Sequence, residues 1–218
     1  EVEVRAEVCF LPIANERRLG LFALIVNARI PQPAVLADVK IGAVVSTTGP
    51  ASFLGEPQKL TLELYVKEVN AKGGINGRKL KLIVEDSGYD PKKAVLAAQK
   101  LVNQDKIFLM AGHIGTAHNN AAMPVLFEKG VINFMPLSAG REMFEPVHKL
   151  KFASVASYHD TMRMNVAKLY KEKGAKNACT LYQDDDYGLE VVKGAEAGLK
   201  DIGVAMGAAG TDIAMEAA

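Results

Sequence analysis

The chain has few of the residues from which many functional sites are built. Its 218 residues include no tryptophan, two cysteines and 6% aromatic residues, which argues against an aromatic-lined sugar groove. Cys9 and Cys179 lie far apart in unlike surroundings, so no disulfide between them is expected, and no cysteine and histidine residues have zinc spacing. The sequence therefore predicts neither a metal nor a cofactor.

The chain also lacks an excess of either charge. The formal net charge is +1, both signs are mixed along the chain, and no basic block points to a nucleic-acid partner. Its N-terminal apolar run, at 19–26, is too short to span a membrane. That run follows Arg17-Arg18, and small residues precede Asp38, so residues 1–37 resemble a secretory signal peptide cleaved after Ala37, or else a disordered tail.

What the chain does have is an alternation of apolar runs and helical periodicity. Strands are predicted at 39–45, 80–84, 107–111, 131–135, 152–155 and 178–182, and helices at 55–72, 91–102, 118–129, 160–173 and 187–200. Asp90-Pro91 has the residue types of a helix start. This alternation predicts an α/β fold with a doubly wound, mostly parallel sheet.

The same pattern predicts two domains. A first α/β domain is expected over 38–157, and the rhythm restarts over 158–218 as the beginning of a second. The second segment is too short to close a sheet of its own, and the chain stops in mid-pattern, so we expect the sequence to be a fragment of a longer protein. On the helix at 55–72, periodicity places Leu62, Tyr65, Val66 and Val69 on the inner face.

Three loops rich in small residues follow predicted strands, at 46–55, 112–117 and 136–140. In open α/β sheets, ligands bind at the carboxyl ends of the strands. A helix that starts near Thr116 would direct free N–H groups at an anion. Backbone N–H groups around Gly115 to Ala117, with the Thr116 hydroxyl, could hold a carboxylate; alternatively, Thr116 merely caps the helix.

Other motifs give weaker signals. Asp184-Asp185-Asp186 could suggest a metal but is more typical of a solvated turn before a helix. His113 follows a strand and could line a ligand cleft at the end of that strand. Gly112 to Gly115 lacks the third glycine of a dinucleotide fingerprint, and no nucleophile elbow or phosphate loop is present.

Several linked motifs resemble the periplasmic solute-binding proteins of the leucine/isoleucine/valine type. They are Thr48-Gly49-Pro50 to Gly55, Asn70 to Leu80, Glu85-Asp86 before Asp90-Pro91, Gly112-His113 with its small-residue loop, and Tyr187-Gly188. The resemblance covers Asp38 to about Asp201. It implies a type I periplasmic-binding-protein fold and a non-enzymatic, periplasmic receptor that delivers a small molecule to the membrane permease of an ABC importer.

The resemblance also implies roles for individual residues. Thr116 would hold the ligand's carboxylate, the stretch after Pro136 would contact its polar groups, and Tyr187 would close over it from the second domain. The ligand-binding residues expected on this basis are Phe53, Leu54, Gly115, Thr116, Ala117, Leu137, Ser138, Ala139 and Tyr187.

Three features depart from the family pattern. Ala139 stands where amino-acid binders usually carry a hydroxyl, Leu54 replaces a frequent aromatic residue with Phe53 beside it, and Tyr89 and Gly115 occupy positions that form a disulfide in some members. These departures leave the ligand open among amino acids, amides, short organic acids and aromatic acids.

Two other functions remain alternatives. A sensor with the same fold would share residues 38–218 and would report ligand binding to a regulatory partner. A nucleotide-dependent α/β enzyme would need catalytic residues at the strand ends, and the sequence shows none.

Overall fold

The computed structural model describes residues 37–204 of the chain. These residues form a five-stranded sheet in the order β2-β1-β3-β4-β5, and every neighbouring pair of strands is parallel. The strands are β1 (Val39–Val45), β2 (Leu80–Asp86), β3 (Leu109–Ala111), β4 (Ile132–Phe134) and β5 (Lys151–Phe152). The helices are α1 (Ser52–Ala71), α2 (Pro91–Lys100), α3 (Thr116–Glu128), α4 (Tyr158–Lys173) and α5 (Asp186–Asp201). The predicted parallel α/β sheet is confirmed.

The core lies between the sheet and α2 and α3. It includes Val44, Ala98, Leu101, Met110 and Leu126, each fully buried. Burial of these apolar side chains is the main force that holds helices against a parallel sheet, since both faces of such a sheet are covered. The predicted start of α2 is confirmed, because the Asp90 side chain accepts hydrogen bonds from the N–H groups of Lys92 and Lys93.

The segment from Asn70 to Leu80 is a turn between α1 and β2. The Asn70 side chain donates to the Leu80 carbonyl at 2.8 Å and accepts from the Leu80 N–H at 2.7 Å. Asn76 and Gly77 both have positive φ, 51° and 77°, as a tight turn of this kind requires. These bonds join the end of α1 to the start of β2, and none of the residues of this segment lines the cleft described below.

Two predictions from the sequence are wrong. Tyr65 is 62% exposed, whereas Leu62, Val66 and Val69 are half-buried, because Tyr65 lies at the edge of the stripe that they form. The predicted strand at 178–182 has no strand structure, and Cys179 is exposed rather than buried. A parallel strand needs a neighbour for its hydrogen bonds, and none of the strands in the described part of the chain pairs with this segment.

Helices α4 and α5 pack against each other, and polar contacts join α5 to α3 and to the loop after β4. Ser157 caps α4 by accepting from the Asp160 N–H. Arg141, in the loop after β4, makes a two-pronged ion pair with Glu190 of α5, with Nη2 2.8 Å from Oε1 and Nε 3.0 Å from Oε2. Asn120 of α3 donates to Asp186 at 2.8 Å. These contacts fix the position of α5 relative to α3.

Within residues 37–204, none of the helices is both long enough and apolar enough to cross a membrane. The predicted signal-like segment lies outside the described residues, apart from its last residue, Ala37, and Cys9 also lies outside them.

Candidate functional site

A cleft of about 470 Å³ opens at the carboxyl edge of the sheet. After each of the five strands, the chain contributes at least one residue to the lining of this cleft. Its lining residues are Pro50, Ala51, Phe53, Leu54, Tyr89, Ile114, Gly115, Thr116, Leu137, Tyr158, Gln183 and Tyr187. This is the edge at which open α/β sheets bind ligands.

The N-terminus of α3 lies at this cleft. Gly115 precedes the helix with φ 90°, and no side chain caps it. Within residues 37–204, no acceptor pairs with the backbone N–H groups of Thr116, Ala117 or His118. Thr116 is the first helical residue and not the cap, so the alternative in which its hydroxyl satisfies the helix end does not apply. Free N–H groups and the helix dipole together favour an anion here.

The Thr116 side chain is fixed from the neighbouring loop. Thr116 Oγ1 lies 2.8 Å from Ser138 Oγ, and Ser138 Oγ accepts from the Gly140 N–H at 3.2 Å. Both side chains are buried. The loops after β3 and β4 are also joined by main-chain bonds between Gly115 and Leu137 and between Leu137 and His113. The hydroxyl at the start of α3 is therefore held in one position by its own surroundings.

A second buried network supports the same loop from below. Asn119 donates from Nδ2 to the carbonyls of His113 and Gly115, at 2.8 and 2.7 Å, and accepts from Asn133 of β4 at 3.0 Å. Asn119 and Asn133 are almost wholly buried. Because buried amides are costly unless paired, this network favours a single conformation of the Gly115 loop.

Two histidines lie beneath the cleft. His113 is wholly buried and does not line the cleft, so the expectation that it could do so is wrong. Burial lowers the pKa of His113 to about 3, and the nearby His118 adds to this effect. Burial also lowers the pKa of His118, whose ring packs against the tilted Tyr89 ring with centroids 4.4 Å apart. Both rings are therefore neutral at physiological pH.

The opposite wall of the cleft comes from the chain around α4 and α5. Tyr158 and Tyr187 meet edge to face with ring centroids 4.9 Å apart. Asp185 caps α5 by accepting from the Gly188 N–H at 3.0 Å, and Gln183 donates to Asp185 at 2.6 Å. In the described part of the chain, no cluster of residues could hold a metal ion, and two acidic residues of the 184–186 turn have structural partners.

The cleft contains most of the predicted binding residues. Phe53, Leu54, Gly115, Thr116, Leu137 and Tyr187 line it, whereas Ala117, Ser138 and Ala139 do not. Ala117 could contribute only its backbone N–H, Ser138 supports Thr116, and the Ala139 carbonyl accepts from the Tyr158 N–H.

Sequence reasoning missed Tyr89, Tyr158, Gln183 and the supporting Asn119. Tyr89 has φ 61°, a conformation that is unusual for an aromatic residue and that the sequence does not signal. The position of Tyr89 directly after β2 was the one available clue, because every other strand end contributes to the cleft.

Comparison with known proteins agrees with this geometry. A family model described as periplasmic binding protein matches residues 38–217. The chain is 32% identical over 190 residues to a Pseudomonas aeruginosa protein named amino acid binding protein, covering 86% of this chain and 50% of that one. It is 29% identical over 187 residues to the Leu/Ile/Val-binding protein of Escherichia coli, covering 85% and 50%.

Solved structures share the fold. A possible leucine/isoleucine/valine-binding protein from Rhodopirellula baltica superposes with a TM-score of 0.73 at 22% identity, over 81% of this chain and 47% of that one. A substrate-binding periplasmic protein from Ralstonia solanacearum gives 0.72 at 25% identity, over 77% and 47%. The chain spans about half the length of the curated relatives that it matches. With a family model matched over 38–217, and with a ligand cleft at the expected edge of the sheet, the chain belongs to the periplasmic binding protein family.

Proposed function

We propose that the protein containing this chain is a solute receptor that binds a small carboxylate, of the amino-acid type or a related organic acid. The observation that carries the proposal is the start of α3. There, the N–H groups of Thr116 and Ala117, which have no acceptor within residues 37–204, and a fixed Thr116 hydroxyl meet at a largely apolar cleft. Pockets with apolar walls and a few fixed polar groups are typical of small-molecule sites.

The proposed carboxylate site works without a charged residue. The helix end has the equivalent of about half a positive charge, and hydrogen bonds to a charged acceptor are the stronger kind. One carboxylate oxygen would accept from the Thr116 hydroxyl and the other from the N–H groups at the start of α3. Leu54, Ile114 and Leu137 would cover the apolar part of the ligand.

The receptor would act by closure of two domains. We propose the boundary at 157/158, with residues 38–157 in the first domain and the chain from 158 in the second. Tyr158, Gln183 and Tyr187 then approach the ligand from the second side. A ligand favours the closed form only if it contacts both walls, and this set of residues meets that requirement.

We further propose that closure delivers the ligand to the membrane permease of an ABC importer, that the protein is periplasmic, and that it binds its ligand without turnover. The support is family membership and the names of the relatives, which include an amino acid binding protein and a Leu/Ile/Val-binding protein.

A ligand screen tests the proposal. The full-length protein would be melted with each of a panel of amino acids, amides and small carboxylates at millimolar concentration, since a ligand of the folded state raises the melting temperature by mass action. We expect at least one carboxylate to raise it in the wild type and to fail in Thr116→Ala. Equal shifts in both proteins, or shifts with none of the carboxylates, would contradict the proposal.

A further inference from the structure

The described walls of the cleft are rich in aromatic rings and have no formal charge. Four of the twelve lining residues are aromatic, Phe53, Tyr89, Tyr158 and Tyr187, in a chain with 6% aromatic residues. None of the twelve is Asp, Glu, Lys or Arg. The aromatic residues are therefore concentrated at the cleft.

The rings present both faces and edges. Tyr158 and Tyr187 are nearly perpendicular, with an interplanar angle of 80°, so that side by side they offer one edge and one face. Tyr89 is backed by the His118 ring and comes from the opposite side of the cleft. Aromatic pairs prefer offset-stacked and edge-to-face contacts, and a flat ring between these tyrosines could make both kinds.

Part of this apolar surface is open to solvent. Phe53 is 72% exposed, Leu54 and Leu137 are each 46% exposed, and Tyr187 is 36% exposed. Apolar side chains that converge on one cleft and stay accessible gain free energy when a ligand covers them. The ligand body that this wall accepts is therefore apolar.

A cationic ligand fits this wall poorly, although tyrosine rings can attract cations. The start of α3 is positive and repels a cation. The nearby carboxylates are already engaged: Asp185 by Gly188 and Gln183, Asp186 by Asn120, and Glu190 by Arg141. Glu142 does not line the cleft and lies in the field of Arg141 and Lys151.

We infer that the ligand is an aromatic carboxylate, whose carboxylate lies at the start of α3 and whose ring lies among Tyr89, Tyr158 and Tyr187. The inference deepens the proposed function and rests on it. It goes further by naming the ring as the feature that the site selects.

Matched pairs of probes test whether the site selects an aromatic ring over a saturated side chain. Benzoate and cyclohexanecarboxylate have the same six-membered skeleton, flat in one and puckered in the other, and phenylalanine and cyclohexylalanine repeat the comparison with an amino group present. Calorimetric titration of the full-length protein should give affinities about tenfold higher for the aromatic member of at least one pair. Affinity for the saturated member that equals or exceeds the aromatic one in both pairs would overturn the inference and leave the proposed function standing.

Glycine betaine is the fifth probe, and it tests whether the rings form a cation site. Betaine binding tighter than benzoate and phenylalanine would overturn the inference. Absence of binding by all five probes, together with no carboxylate response in the wider screen, would overturn the proposed function as well.

A substitution at Tyr158 tests whether this side chain contributes to the preference for an aromatic ligand. Tyr158→Leu keeps an apolar side chain and removes the ring, so the affinity for the preferred aromatic probe should fall about three- to tenfold while that for its saturated partner stays within twofold. Tyr65→Leu is the matched control, since Tyr65 is exposed on α1 and does not line the cleft. An equal loss of affinity for both members of the pair would show that the ring of the ligand does not contact Tyr158, and would overturn the assignment.

Discussion

Thr116 Oγ1, at the start of α3, and Ser138 Oγ, in the loop after β4, lie 2.8 Å apart. Ser138 Oγ already accepts from the Gly140 N–H. If Ser138 donates its own proton to Thr116, the Thr116 proton is free to point toward an anion. Gly140 is packed so closely that a Cβ there would lie 2.6 Å from Thr116 Cγ2. The threonine rotamer is thus fixed by its surroundings, which lowers the entropy lost when a ligand binds.

The first prediction concerns the Thr116 hydroxyl. Thr116→Ala should weaken carboxylate binding by about 1.5–3 kcal/mol, the contribution of a hydrogen bond to a charged group, or roughly 10- to 150-fold. Thr116→Ser keeps the hydroxyl and should retain most of the affinity. Calorimetric titration of the full-length protein measures both, and a serine variant as weak as the alanine variant would show that the hydroxyl is not the binding group.

The second prediction concerns Gly115. Its φ of 90° is strained for any other residue, and a Cβ would collide with the His118 ring, so Gly115→Ala should destabilise the fold and displace the start of α3. Gly130 is a matched control at the other end of α3, with φ 71° and open space around a Cβ. Gly130→Ala should cost only the backbone strain of about 1–2 kcal/mol.

Denaturant unfolding of the two glycine variants measures the difference. Gly115→Ala should lose clearly more free energy of unfolding than Gly130→Ala, and only Gly115→Ala should lose ligand affinity. Equal losses of stability in the two variants would mean that the His118 ring moves aside easily and that the Gly115 loop is not rigid.

The third prediction concerns the ion pair of Arg141 and Glu190. The Glu190 side chain is 4% exposed, and Arg141 holds the pKa of Glu190 below its usual range. Glu190→Ala leaves Arg141 without its partner; since the Arg141 side chain is 33% exposed and water reaches it in part, we expect a loss of about 1–3 kcal/mol. Glu172→Ala, in an exposed pair with Lys168, should cost less than about 1 kcal/mol. Similar melting temperatures for the two variants would refute this ranking.

The fourth prediction is a dependence of stability on pH. Burial lowers the pKa of His113 from 6.5 to about 3, so the unfolded chain binds a proton between these values that the folded chain does not. Stability should therefore fall as the pH drops below 6.5, by about 2 kcal/mol at pH 5 from this residue. In His113→Leu that part of the loss should disappear, whereas replacing the exposed His148 with glutamine should leave it unchanged. Urea unfolding at pH 8 and pH 5 measures both, and an undiminished loss in His113→Leu would contradict the assignment.

The sheet was predictable because its strands are apolar runs with clear ends. The run at 39–45 and the Asp90-Pro91 helix start are local signals, and the structure has both where the sequence places them. The run at 178–182 has the same local signal but no neighbouring strand among the described residues, and Leu181 is 99% exposed there. Local patterning predicts a strand, but only pairing makes one.

The first wall of the cleft was predictable for a similar reason, since Gly115, Thr116 and Leu137 directly follow strands. Tyr158 and Gln183 were not, because their place in the cleft depends on how α4 and α5 pack against the loops after β3 and β4. Asn119 was missed because it lies inside a helix, where its role becomes visible only once the carbonyls of His113 and Gly115 come within reach.

A crystal structure of the full-length protein with the carboxylate that gives the largest thermal shift would show whether the start of α3 binds the ligand. We expect one carboxylate oxygen within about 3 Å of Thr116 Oγ1 and the other within hydrogen-bond distance of the N–H groups at the start of α3. A carboxylate bound elsewhere, with the start of α3 left to water, would contradict it.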